Sequence, residues 1–210
     1  ALTWWRLPET RPASDGSAPR SLLANYGVIL GKREIYLDLL CYMLSSMAFF
    51  TYLTSVSFVY ITWFGVSETV FGILFAGSAC ALILANFINV RVVSSIGPRR
   101  MLDIGLGLGC LCGAALVGIT WLELGLYWTV ACFICIVGSL GICAVNADAL
   151  VLIQFPQQAS SASAVTGTLR FGFGALSGPI LAYTYNGTPL PVALVLLATL
   201  VGAALMQGLR

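Results

Sequence analysis

Residues 126–153 read LYWTVACFICIVGSLGICAVNADALVLI, and one charged side chain, Asp148, interrupts the run. A helix needs about 20 predominantly apolar residues to cross the hydrocarbon core of a bilayer. This stretch is longer than that. A strand of a membrane barrel would be shorter and strictly alternating. A helix bonds its own backbone, so it is the structure that lipid admits for such a run.

Five more runs of the same kind flank it: Ile35–Trp63, Glu68–Val93, Met101–Thr120, Ser163–Tyr185 and Pro191–Leu209. Together they predict an all-α membrane protein with six transmembrane helices. Composition agrees, with 59% of the 210 residues apolar and 9% charged. A soluble domain carries roughly 25% charged residues, so water cannot be the main solvent here. Residues 35–210 read as one transmembrane domain. Residues 1–34 read as a cytoplasmic linker with an interfacial lead-in at Ser21–Leu30. The chain opens at Ala1, and Arg6, Pro8, Glu9, Arg11 and Pro12 leave no signal-peptide core. That opening reads as a cut or partial chain.

Breaks between the runs are short. They fall at Phe64–Ser67, Ser94–Arg100, Trp121–Glu123, Phe155–Ser161 and Asn186–Pro189. Lysine and arginine orient the bundle. Arg6, Arg11, Arg20, Lys32 and Arg33 precede the first span, Arg91, Arg99 and Arg100 lie at the second break, and Arg210 ends the chain. Both termini are therefore expected in the cytoplasm. Trp63, Trp121, Tyr127, Trp128, Tyr183 and Tyr185 mark the opposite interface as an aromatic belt.

All seven cysteines lie in apolar runs, and the chain has no histidine. Cys132 and Cys135 form a CxxC without a second pair, so the thiols read as small apolar packers and no metal site is expected. Gly105, Gly109 and Gly113 form two GxxxG steps, and Gly174 with Gly178 another, a spacing that lets helix backbones approach. No phosphate loop, nucleic-acid pattern or Gly-framed nucleophilic serine is present, so neither an enzyme nor a nucleic-acid partner is expected.

Asp148 and Arg170 are charged residues inside spans, where charge is expensive and usually marks a function or a partner. Counted from the break at 155–161, they lie about 9 and 10 Å deep at 1.5 Å per residue. Two readings follow. One is a fixed salt bridge between the fourth and fifth spans. The other is a proton relay, with Asp148 exchanging the proton and Arg170 tuning it. Asn146 precedes Asp148 by two residues, about 200° around the helix, so the two point to nearly opposite sides. Ser163, Thr166, Arg170, Gly174 and Ser177 share one helical face. Phe49, Phe50, Tyr52, Ser55, Phe58 and Tyr60 in the first span suit either a flat lipophilic ligand or plain packing. Asp38, Asp103 and Arg91 read as solvated residues near the inner surface.

Several segments resemble one family in order along the chain. They are Ser21–Tyr26, Phe58-Val59-Tyr60-Ile61, Phe64-Gly65-Val66-Ser67, Phe71–Phe75, Asn89-Val90-Arg91, Gly97-Pro98-Arg99-Arg100 and Ser161–Ala164 before Gly174-Ala175-Leu176. This set is similar to the C-terminal half of the bicyclomycin-resistance (Bcr/CflA) type of drug:proton antiporters, in the major facilitator superfamily. The resemblance runs from about Leu7 onward. It implies one half of a twelve-helix fold whose halves rock around a midplane site. The first, second, fourth and fifth spans would line the cavity or the half–half interface, with the third and sixth outside.

The resemblance further implies export of small lipophilic drugs across the bacterial inner membrane. The proton gradient would supply the energy, with no bound cofactor. Contacts to substrate are expected from Phe49, Tyr52, Ser55, Tyr60 and Asn146. Asp148 and Arg170 would form the proton or ion-pair site, and Asn89, Arg91, Arg99 and Arg100 a cytoplasmic loop latch. The partners expected are a lipophilic drug, protons, the bilayer, and an N-terminal half or a second copy of the chain. The alternative is a truncated or standalone six-helix membrane protein with a scaffold role. The sequence departs from the family in three places. Ser55-Val56-Ser57-Phe58 lacks the family's proline. Asp148 replaces a commonly apolar residue, and Arg170 replaces a common glutamine.

Overall fold

A computed structural model describes residues 35–156 and 159–209. The linker and lead-in read over residues 1–34 lie outside the described residues. The elements are α1 (Tyr36–Ser57), a π-helical continuation over Phe58–Trp63, α2 (Glu68–Ile96), α3 (Pro98–Trp121), α4 (Leu126–Ile153), α5 (Ala159–Ala175), α6 (Ser177–Thr184) and α7 (Leu190–Gly208). Every element among the described residues is helical.

Five helices are long and apolar enough to cross a membrane. The sixth crossing is broken. Pro179 has no N–H to offer the Ala175 carbonyl, and its ring crowds that carbonyl. Accordingly α5 ends at Ala175 and α6 resumes at Ser177. The continuous span expected over 163–185 is thus two helices, parted at Leu176 just ahead of Pro179. Its start also moves out, to Ala159.

Local chemistry sets the other ends. The Ser67 side chain accepts from the Val70 N–H and caps α2. Gly97, at φ 83°, turns the chain out of α2 in a backbone region that side chains resist. Pro98 then opens α3, where its missing N–H costs nothing. One residue therefore joins α2 to α3. The Asn186 side chain accepts from the Thr188 N–H at 3.0 Å and shapes the turn before α7.

The helices are unequal in burial. In α1 and α4, 67% and 61% of the most apolar window is buried; in α2 the share is 6%. So α1 and α4 form the centre. α4 carries α3 on one side and α2 on another, α1 carries α7 and α5, and α3 and α7 close on each other. The main core joins Tyr52, Val56 and Tyr60 of α1 and its continuation to Phe133, Ile136 and Leu140 of α4 and Leu196 and Leu200 of α7. A smaller cluster of Leu39, Met43, Val151, Phe155, Ala162 and Val165 ties α1, α4 and α5 at the end that bears Arg91, Arg99 and Arg100. We call this the basic end, and the end with Trp63 and Trp121 the aromatic end.

Lipid tails are as apolar as leucine, so helices in a bilayer associate by close packing more than by burial from solvent. The glycines of α3 show this. A Cβ at Gly105 would stand 2.8 Å from Cys143 Sγ and 3.3 Å from the Ser139 carbonyl oxygen. At Gly109 it would meet Leu200 and Ser139 Oγ at 3.0 Å, and at Gly113 Leu197 at 3.3 Å. The two GxxxG steps thus seat α3 on α4 first and then on α7. In α5 Gly174 accommodates the Phe50 ring, whereas Gly178 faces open space. Gly105→Val is expected to lower stability by about 1–3 kcal/mol through overpacking. Gly107→Val, one turn face away with nothing within 4 Å of its Cβ position, is expected to cost much less. Paired thermal melts in detergent measure the difference.

Candidate functional site

Among the described residues, polar side chains of α4 meet those of other helices at three places. The first is an amide pair. Asn146 Nδ2 donates to Asn89 Oδ1 at 2.6 Å and also to the Ile142 carbonyl at 2.8 Å. Both asparagines are buried, at 1% and 2% exposure. This contact ties α4 to α2 where small residues bring them together: Gly138 meets Ala81 and Ala85, and Gly141 meets Leu82 and Asn86. Asn89 therefore belongs to the interior of α2, within the helix and not in a loop. The α2 helix runs on to Ile96, past the expected end at Val93.

The second place surrounds Asp148. As the 200° separation requires, Asp148 turns away from α2 and toward α1 and α5. Its Oδ1 is buried and accepts no hydrogen bond. The Tyr42 phenol of α1 interacts with Asp148 and with the side chains of Arg170 and Thr166 from α5. Asp148 and Arg170 themselves do not come within the 4.0 Å of an ion pair. The reason lies in the helix start. The depth comparison placed it at Ser163, but α5 begins at Ala159. Arg170 is therefore about 16 Å along its helix, while Asp148 is about 8 Å from the end of α4. Tyr42 lies in the electrostatic reach of both residues, and the direct salt bridge of the fixed-pair reading is not formed.

The third place is at the basic end. Asp38, in the first turn of α1, is 3% exposed. Its Oδ2 accepts from Gln154 Nε2 at 2.7 Å, and its Oδ1 stands 3.8 Å from an Arg99 guanidinium nitrogen. Asp38 is thus buried, contrary to the solvated position expected for it. Its carboxylate joins the starts of α1 and α3 to the end of α4. The α1 N-terminus adds a favourable dipole. Neither Asp38 nor Gln154 stood out in the sequence as a partner. The available signal was a carboxylate in a first helical turn, within reach of an arginine-rich break. Arg91 and Arg100 are exposed, as is Asp103. The Arg91 guanidinium lies 3.8 Å from the centroid of the Phe87 ring, at cation–π distance.

Tyr52 of α1 and Tyr60 of its continuation face inward. Tyr52 stacks on Phe75 at 6.4 Å and meets Phe133 edge-on at 5.3 Å; Tyr60 meets Phe133 and Phe71. The Tyr52 and Tyr60 hydroxyls are buried and make no hydrogen bond, although Ser78 approaches that of Tyr52. Ser55 Oγ donates to the Thr51 carbonyl at 2.6 Å. It also borders a cavity of about 180 Å³ shared with Thr54, Phe58, Leu181 and Tyr185 near the aromatic end. Phe49 is half-buried against Phe50. The five residues expected to touch substrate are thus split. Tyr52 and Tyr60 belong to the α1–α2–α4 aromatic cluster, Ser55 to the cavity between α1, α6 and α7, and Asn146 to the amide pair.

Apolar helices long enough to cross a bilayer, with polar groups held between them, define a polytopic membrane protein. The Major Facilitator Superfamily model matches residues 1–179, and the chain belongs to that family. It is 32% identical over 198 residues to the bicyclomycin resistance protein homolog of Haemophilus influenzae, covering 91% of this chain and 49% of that protein. It is 27% identical over 161 residues to the uncharacterized MFS-type transporter YdgK of Bacillus subtilis, covering 76% of this chain and 40% of that protein. The chain therefore spans about half, or somewhat less, of the length of these curated relatives. No solved structure gives a significant match. The resemblance drawn from the ordered segments points to the same bicyclomycin-resistance type as the first of these relatives.

The amide pair makes a measurable prediction. Asn89→Leu and Asn146→Leu are each expected to destabilise the bundle by leaving one buried amide without its partner. In a double-mutant cycle the coupling energy should be about 0.6–1.7 kcal/mol, the range found for polar contacts between membrane helices. A coupling energy indistinguishable from zero in detergent melts would remove this contact from the forces that hold α2.

Proposed function

We propose that this chain is one half of a proton-coupled multidrug efflux transporter that exports small lipophilic compounds across a bacterial inner membrane. A second six-helix half, or a second copy of the chain, completes the translocation unit. Both termini face the cytoplasm in this reading. The basic end, with Arg91, Arg99 and Arg100, is then the cytoplasmic end.

Asp148 carries the proposal. It is a carboxylate deep in a membrane helix; among the described residues it has no ion-pair partner within 4.0 Å, and one of its oxygens is buried without a hydrogen bond. Ionisable residues inside membrane spans are rare and commonly mark proton or ion pathways. A carboxylate locked in a permanent ion pair would be a poor carrier, since its partner holds it ionised. The Tyr42 phenol lies in the electrostatic reach of both Asp148 and Arg170. Arg170 and Tyr42 are placed to respond to the charge on Asp148. Drug recognition is assigned to half-buried Phe49 and to Ser55 at the cavity between α1, α6 and α7, since Tyr52 and Tyr60 are buried in the core. The similarity to a protein named for bicyclomycin resistance supports a drug as cargo.

A non-transporting, scaffold-like membrane protein is the second reading, favoured by the engagement of Tyr52, Tyr60 and Asn146 in core packing and pairing. Drug accumulation in cells expressing the chain, with and without a proton uncoupler, separates the two. Efflux should lower accumulation, and the uncoupler should restore it. In vesicles holding the assembled transporter, Asp148→Asn is expected to insert normally and to abolish drug uptake driven by a pH gradient. Transport by Asp148→Asn with unchanged pH dependence would sink the proton-carrier role.

A further inference from the structure

A groove of about 520 Å³ opens between α2, α3 and α4. It exists because α2 and α3 both pack on α4 and scarcely on each other. Leu84 and Ile88 of α2 form one wall, Ile104 and Leu108 of α3 the other, and Gly138 of α4 lies in the floor. The four wall residues are 47–58% exposed, so the groove is open along its side. It runs from Val92 and Met101 near the basic end to Ala81 and Cys112. On either helix that is about 16 Å at 1.5 Å per residue. One leaflet is half of the roughly 30 Å hydrocarbon core, so the groove is one leaflet long.

Its basic end carries two exposed arginines from different helices. Arg91 follows Ile88 by three residues and Arg100 precedes Ile104 by four, each one turn from a wall residue. Both therefore sit at the margin of the groove face. Arg99 is engaged by Asp38. Asp103, exposed nearby, offsets one of the two remaining charges, and the mouth keeps a net positive charge. Near this mouth α2 and α3 converge on the single residue Gly97. A helix 10–12 Å across does not enter such a wedge; a hydrocarbon chain does. Guanidinium groups pair with phosphate oxygens in a planar, bidentate manner.

We propose that this groove binds an anionic phospholipid, with one acyl chain along Leu84, Ile88, Ile104 and Leu108 and the phosphate between Arg91 and Arg100. The bound lipid fills the gap between α2 and α3 and braces α2, the least buried of the long helices. This site is independent of drug transport and of Asp148.

The test is native mass spectrometry of the protein, delipidated in mild detergent and titrated with phosphatidylglycerol or phosphatidylcholine of identical acyl chains. Tight phosphatidylglycerol adducts should exceed those of phosphatidylcholine. Arg91→Gln with Arg100→Gln should remove the preference, at roughly fivefold in affinity per arginine. Leu108→Trp, which fills the groove from an exposed wall position, should reduce binding of both lipids. Ile88→Trp on the facing wall repeats that test should Leu108→Trp misfold by circular dichroism. Equal binding of the two lipids would overturn the proposal. So would a phosphatidylglycerol preference that survives the groove-filling variants, which would be surface charge alone. A second polypeptide held in place of lipid, and lost on Leu108→Trp, would assign the groove to a protein partner and overturn it as well.

Discussion

A backbone in hydrocarbon has no water to bond with, so each crossing must close its own hydrogen bonds and then find neighbours without a strong solvent drive. The architecture follows from how α4 meets that constraint. It presents glycine and small side chains where other helices approach: Gly138 and Gly141 toward α2, and Ser139 and Cys143 toward Gly105 of α3. Its aromatic Phe133 meets Tyr52 and Tyr60 from α1 and its continuation. Without these close approaches α2 would be held to α4 chiefly by the Asn89–Asn146 contact, and α3 by its seat on α7 and the Arg99–Asp38 contact.

The same helix distributes the polar chemistry. Asn146 faces α2, Asp148 faces α1 and α5, and Gln154 reaches Asp38 at the start of α1. The first and third of these contacts are bonded closures between helices. Asp148 is different, since its buried oxygen is left without a hydrogen bond. The Asn89–Asn146 and Asp38–Gln154 contacts tie helices together, whereas Asp148 leaves one buried oxygen unbonded between them. The break at Pro179 and the π-helical turn after Ser57 lie toward the aromatic end of α1 and of the α5–α6 crossing. Local departures of this kind are where helices in a bilayer bend most readily.

Helix number and approximate bounds were legible in the sequence because a span is announced by composition alone: some twenty apolar residues with few charges. Leu126–Ile153 ends where the hydropathy ends. The glycine spacing of α3 was legible for the same reason, since i and i+4 share a face whatever the neighbour. The break before Pro179 was not drawn from the sequence, because hydropathy does not fall there and only the lost backbone bond registers it. Polar partners were less legible still. Asp38 read as solvated because it lies near a membrane end, yet Gln154, 116 residues away, reaches over to cover it.

The sequence by itself determined that this is a helical membrane protein, and the family model agrees with the ordered segments that carry the resemblance. It also determined the rotation that sends Asn146 and Asp148 to opposite sides, because helical geometry needs no neighbour. Tertiary structure alone decided that Asn146 meets Asn89, that Tyr42 stands with both Asp148 and Arg170, and that α2 and α3 part to leave a groove over α4. These outcomes depend on how helices are staggered and which faces meet. Stagger comes from the packing of small and large side chains across a contact, to which the hydropathy of a single span is blind.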